Sequence, residues 1–68
     1  MYYVEYFEKT KFKAWHLVNC HAVSDYCTRK LVANIKKQGY FYDRTLKAYC
    51  LYTGITDHRF YLHKQHIK

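Results

Sequence analysis

SDYCTRKLVANIKKQG, running from Ser24 to Gly39, carries a full set of helix signals. The Ser24 hydroxyl is placed to accept from an unpaired first-turn amide, and Asp25 sets a carboxylate against the positive end of the helix dipole. Cys27, Leu31 and Ile35 recur at four-residue steps and are joined by Val32, which makes one apolar stripe. Lys36 and Lys37 place cations at the negative end, and Gly39 supplies a left-handed cap. A helix is predicted over 25–38.

Strand patterns lie on both sides of it. Residues 2–7 alternate Tyr2, Val4 and Tyr6 against Tyr3, Glu5 and Phe7, in a composition rich in β-favouring rings. Residues 8–11 form a polar connection, and 12–18 alternate again as the second arm of a hairpin. Phe12, Ala14, His16 and Val18 face Lys13, Trp15 and Leu17; both sets contain apolar residues, so the pattern leaves the buried face open. After Gly39, the aromatic run over 40–53 is read as a third strand. A connection over 53–58 leads to a last strand over 59–63, with Phe60 and Leu62 opposite Arg59, Tyr61 and His63. The expected architecture is one α+β domain spanning 1–68. It has a small antiparallel sheet of about four strands, in the order ββαββ, with one helix packed on one face. An antiparallel sheet tolerates an uncovered second face, where function is expected. Lys64 to Lys68 is read as a basic tail.

Composition narrows the classes. A chain of 68 residues has room for one small core, because a domain of about 60 residues buries only about 60% of its unfolded surface. Proline is absent, glycine occurs twice and tyrosine nine times, the reverse of a disordered composition. Twelve Lys and Arg against five Asp and Glu give a formal charge of +7, and five His add to it in acid. That surplus favours an acidic partner: DNA, RNA, anionic lipid or an acidic protein face, with lipid disfavoured because the narrow apolar stripe of the helix is needed to cover the sheet. Cys20, Cys27 and Cys50 are odd in number, lack a CxxC pair and follow no signal-peptide pattern, so they are read as reduced thiols packed as small apolar residues in a cytoplasmic protein. No apolar run approaches the ~20 residues that cross a bilayer, and no membrane partner is expected.

Cations interleave with rings in three places: Lys11 to Trp15, Arg44 to Tyr49 and Arg59 to Lys64. Single-stranded nucleic acid is held by this combination, with cations on phosphates and rings stacked on bases at roughly 1–3 kcal/mol per base. The competing structural reading is a small sheet with aromatic core residues and solvated lysines. Candidate binding residues are Lys11, Lys13, Arg44, Lys47, Tyr49, Arg59 and Tyr61, together with the helix set Arg29, Lys30, Lys36 and Lys37, which only Asp25 balances. Gly39-Tyr40-Phe41-Tyr42 has the look of a base-stacking run, but the element order and length do not fit an RNA-recognition motif. His16, Cys20, His21 and Cys27 do not match a zinc-ligand spacing, so neither metal nor cofactor is expected. Cys20 and His21 are strand neighbours pointing to opposite faces, and the five acids are scattered; no enzyme is expected.

In size, element order and the Val23-Ser24-Asp25 helix start, residues 2 to 63 resemble a loose class of small phage and mobile-element proteins that includes some anti-CRISPR proteins and phage inhibitors of host RNA polymerase. The resemblance implies a non-catalytic inhibitor or adaptor that docks on a nucleic-acid-handling protein machine, and it carries over no binding residue. The alternative is direct, weakly sequence-specific binding of DNA or RNA. A Tyr-rich edge strand offers a route to a dimer, and the sequence leaves the oligomeric state open.

Overall fold

The structure, a computed structural model, describes residues 1–64; beyond Lys64, the expected basic tail falls outside them. The elements are β1 (Tyr2–Thr10), β2 (His16–Val23), α1 (Asp25–Lys37), β3 (Phe41–Asp43), β4 (Ala48–Tyr52) and β5 (Thr56–Lys64). All five strands join one antiparallel sheet in the order β2-β1-β5-β4-β3. The α+β class with a single helix holds, but the sheet has five strands and the order is ββαβββ.

The extra strand arises because the run over 40–53 doubles back. Asp43 Oδ1 accepts from the amides of Thr45 (2.8 Å) and Leu46 (3.1 Å), a side-chain mimic of a turn, and Lys47 takes the left-handed conformation at φ 55°. A turn built this way needs no Gly or Asn, and it divides the aromatic run into two strands. The same device moves the first hairpin. Thr10 Oγ1 accepts from the amides of Phe12 and Lys13, so the connection is 11–15 and not 8–11; β1 extends to Thr10, and the second strand shifts from 12–18 to His16–Val23. Val18 is the extra residue of a bulge where β2 passes β1 between Tyr6 and Phe7. At the last turn the Thr53 hydroxyl donates to the Thr56 carbonyl (2.7 Å) and accepts from the Thr56 amide (3.0 Å), so β5 begins at Thr56, three residues before the expected start.

The helix ends follow the sequence. Ser24 Oγ accepts from the Cys27 amide at 3.2 Å, Gln38 closes the last turn, and Gly39 is left-handed at φ 101°. Its buried stripe is rotated by one residue from the expected one. Cys27 is exposed, and Thr28 is buried beside Leu31, Val32 and Ile35. Burial of the Thr28 hydroxyl is satisfied locally, because it donates to the Ser24 carbonyl at 2.8 Å. The thiols therefore divide: Cys50 packs as a small core residue, while Cys20 and Cys27 face solvent.

The register fixes the two faces of the sheet. Val4 lies opposite Leu62, and Tyr6 opposite Phe60, with Tyr49 beside it; this is the face toward α1, since Lys36 lies over the Tyr49 ring, and Tyr40, just beyond the helix, packs against Phe60 (5.4 Å). At one end of this layer the Tyr6 hydroxyl and His58 Nδ1 share a 2.5 Å hydrogen bond. Burial, with Glu8 nearby, raises the Tyr6 pKa well above that of free tyrosine; burial also raises that of Tyr40.

Ile35 is 2% exposed, so Ile35→Ala is expected to cost about 2–5 kcal/mol in urea unfolding, and Leu31→Ala, at a half-buried position, less. Tyr6 and Tyr40 keep their protons in the folded state at a pH where the unfolded chain, with tyrosine pKa values near ~10, loses them. Stability is thus fully present below about pH 10 and falls as the pH rises further. Tyr6→Phe should flatten that alkaline decline in unfolding curves measured across it; an unchanged slope would remove Tyr6 from the linkage.

Candidate functional site

The face away from α1 is lined by Tyr3, Glu5 and Phe7 of β1, Arg59, Tyr61 and His63 of β5, and Tyr52 of β4. Small residues sit between them: Ala48 lies opposite Tyr61, and Cys50 opposite Arg59, both nearly or fully buried. The larger neighbours thus roof over a second thin core on a face that no helix covers. Trp15, the only tryptophan, comes from the β1–β2 connection onto this face, and the Arg59 guanidinium lies over its ring at 3.9 Å from the centroid. Arg59 Nη2 also donates to the Tyr52 hydroxyl at 3.3 Å. Partial burial alone would lower the Arg59 pKa, but the hydroxyls of Tyr52 and Tyr61 favour the cation and the net shift is upward.

Around this pair the rings are ordered. Phe7 meets Tyr61 edge-on at 5.4 Å, and the Tyr61 and His63 rings lie within 3° of parallel at 6.3 Å. His63 Nε2 contacts Glu5 Oε1 at 2.5 Å. Glu5, Phe7, Trp15, Arg59, Tyr61 and His63 enclose an open hollow of about 330 Å³. Arg59 Nε is buried at its side with no hydrogen-bond partner among the described residues. A site of this kind offers flat apolar contact and one fixed cation, which suits a planar or hydrophobic group with an acceptor edge.

The charge lies elsewhere. On the open face Lys9 and Arg59 are set against Glu5, Asp43 and Asp57, close to neutrality, whereas α1 carries Arg29, Lys30, Lys36 and Lys37 against Asp25. A second groove of about 450 Å³ runs between α1 and the sheet, lined by Tyr2, Arg29, Tyr49 and Lys64 among others. The Lys36 ammonium sits 6.0 Å from the Tyr49 ring centroid at its side, and that of Lys30 lies 4.8 Å from the Tyr26 ring on the same helix.

The sequence-derived candidates therefore fall into groups. Arg59 and Tyr61 come together on the open face. Arg29, Lys36 and Tyr49 border the helix-side groove, and Lys30 and Lys37 are exposed on α1. Lys11 and Lys13 sit in the β1–β2 connection, and Arg44 and Lys47 in the β3–β4 turn, all four exposed. From the register, those two connections lie at opposite ends of the sheet, since Thr10 pairs with Thr56 while Ala48 pairs with Tyr61 near the other end of β5. Sequence reading placed Trp15 and His63 in its cation-and-ring runs without counting them among the binding candidates, and it missed Glu5, Phe7 and Tyr52 altogether. Their period-two alternation was visible, but only the strand order brings them beside Arg59. Among the described residues no group of three or more His, Cys, Asp or Glu is placed to hold a metal ion. No helix of the described residues is long and apolar enough to cross a membrane.

No family model, curated protein or solved structure matches this chain. Its surfaces alone carry the functional argument.

If Arg59 shields the Trp15 ring, Arg59→Ala should red-shift Trp15 emission and increase its quenching by acrylamide, with the far-ultraviolet circular dichroism unchanged. Identical emission and quenching would mean that the stack does not persist in solution.

Proposed function

We propose that this chain is a small non-catalytic binding module with two contact surfaces. In this reading it docks on a nucleic-acid-handling protein machine through the open aromatic face and is steered there by the basic surface of α1. The separation of rings from charge is the observation that carries the reading. Tyr, Trp and Arg clustered in a near-neutral patch are the usual anchors of a protein interface, whereas the lysines and arginines of α1 supply a field that speeds approach to an acidic partner. A role of the inhibitor or adaptor type, as in the small phage and mobile-element proteins that the element order resembles, accommodates both surfaces, and a cytoplasmic setting belongs to the same proposal.

A second reading, direct binding of single-stranded DNA or RNA on the open face, draws on the near-parallel Tyr61 and His63 rings and the Trp15–Arg59 stack, which suit intercalated bases. The near-neutral charge of that face counts against it, because phosphate neutralisation supplies most of the affinity in non-specific binding.

Trp15, the only tryptophan, separates the two. In a titration with a short labelled single-stranded oligonucleotide at low and near-physiological salt, docking through the open face predicts weak, salt-sensitive anisotropy changes, unaltered Trp15 emission, and loss of binding in the Lys30→Glu/Lys37→Glu double variant. Saturable quenching of Trp15 by the oligonucleotide, together with loss of binding in Trp15→Ala, would instead establish the open face as a base-stacking platform and overturn the proposal.

A further inference from the structure

The sheet has two free edges of different character. β3 is three residues long, whereas β2 is eight. From Ala14 to Ser24 the sequence has no Lys, Arg, Asp or Glu, its longest such run, in a chain where a quarter of the residues are charged. β2 lies wholly within that run. Six of its eight residues are exposed, among them Leu17 (50%) and Val18 (48%), so neither α1 nor a loop covers it on either face.

Free edges are normally guarded by lysine, proline, short length or a bulge, because their unpaired amides and carbonyls are a template for another strand. β2 has only the bulge at Val18. Beyond it, residues 19–23 run in regular register against residues 2–6 of β1 and leave their outer side unpaired. Over most of a molecule with a net charge of +7, a second copy would meet like charge. This edge, like the near-neutral open face, lets two copies approach without that cost, and unlike that face it also offers unpaired backbone groups. Of the Tyr-rich strands, β1 is internal, and the edge strand β3 is too short to offer more than a brief ladder.

We propose that residues 19–23 of β2 pair antiparallel with the same segment of a second copy, about a two-fold axis perpendicular to the sheet. Such an axis gives a self-complementary contact and continues each pleat into the next. Two five-stranded sheets become one continuous sheet, with both open faces on one side and both helices on the other. A single strand pair buries less than the ~1,200 Å² at the low end of stable interfaces, so the dimer is weak and forms with rising concentration.

Sedimentation equilibrium of the purified chain under reducing conditions, from low micromolar to near-millimolar concentration, should show the average mass rising from 8.4 kDa toward twice that value. Asn19→Lys/His21→Lys, at two exposed positions that bring like charges together across the axis, should hold the mass at that of one chain with an unchanged circular dichroism spectrum. A wild-type mass that stays at one chain throughout, or a folded double variant that dimerises like wild type, overturns the proposal. Should the variant unfold, Cys20 decides. In a Cys27→Ser chain, the two copies of Cys20 lie within about two residues, ~7 Å along the strand, and a short bismaleimide should join them. No cross-link at concentrations where the mass doubles would place the contact elsewhere and overturn the assignment to β2. These measurements use the chain alone and are indifferent to whether the open face binds protein or nucleic acid.

Discussion

Every surface of this protein is placed by the pairing of β1 with β5, nine consecutive antiparallel partners from Tyr2 opposite Lys64 to Thr10 opposite Thr56. These two strands form the middle of the sheet, with the β2 arm on one flank and the β3–β4 hairpin on the other. Because side chains alternate, that single register decides that Val4, Tyr6, Phe60 and Leu62 meet the helix while Glu5, Phe7, Arg59 and Tyr61 do not. A slip by one residue would turn one of the strands over, burying Glu5 and exposing Val4 if β1 moved or burying Arg59 if β5 moved, so the hydrophobic pattern of both strands holds the register against slippage.

Two layers of unequal strength follow from it. On the helix side Val4 and Ile35 are almost fully buried, and the tyrosine rings reach outward so that their hydroxyls find partners or water. On the open side the buried residues are small, Ala48 and Cys50, and rings and a guanidinium cover them. Such a covering is both part of the fold and available to a ligand. Stability and recognition therefore draw on the same side chains there, whereas the cations of α1 lie outside both buried layers.

The helix was legible in sequence because its signals are local: a serine cap, an acid, a stripe, two lysines and a glycine occur within sixteen residues. Strand faces were legible too, since Phe60 and Leu62 against Arg59, Tyr61 and His63 need only period-two alternation. What escaped was turn chemistry. Asp43 and Thr10 fold the chain back through their own side-chain oxygens, and neither is accompanied by the glycine or asparagine that usually marks a hairpin. One missed turn merged β3 with β4, and another displaced β2 by several residues. The site was only half visible for a different reason: Arg59 and Tyr61 stand out as a cation beside rings, but Glu5 and Phe7 join them through the β1–β5 pairing and Trp15 through the β1–β2 connection, which no local pattern encodes. Cys27 illustrates a finer limit, since a rotation of one residue on the helix, allowed by the Thr28 hydroxyl's bond to Ser24, reversed its exposure.

The central position of β1 and β5 also sets when the protein can fold. Local contacts suffice for α1 and for the β1–β2, β3–β4 and β4–β5 hairpins, but the β1–β5 pairing joins residues separated by most of the chain's length, and closing so long a loop must precede any gain from it. During synthesis β1 therefore emerges with half of its hydrogen-bonding partners still unmade and its row of tyrosines uncovered, until the last strand leaves the ribosome. A nascent chain stalled before β5 keeps that ladder open to any other extended peptide nearby, and once β5 is in place this side of β1 is closed to such capture.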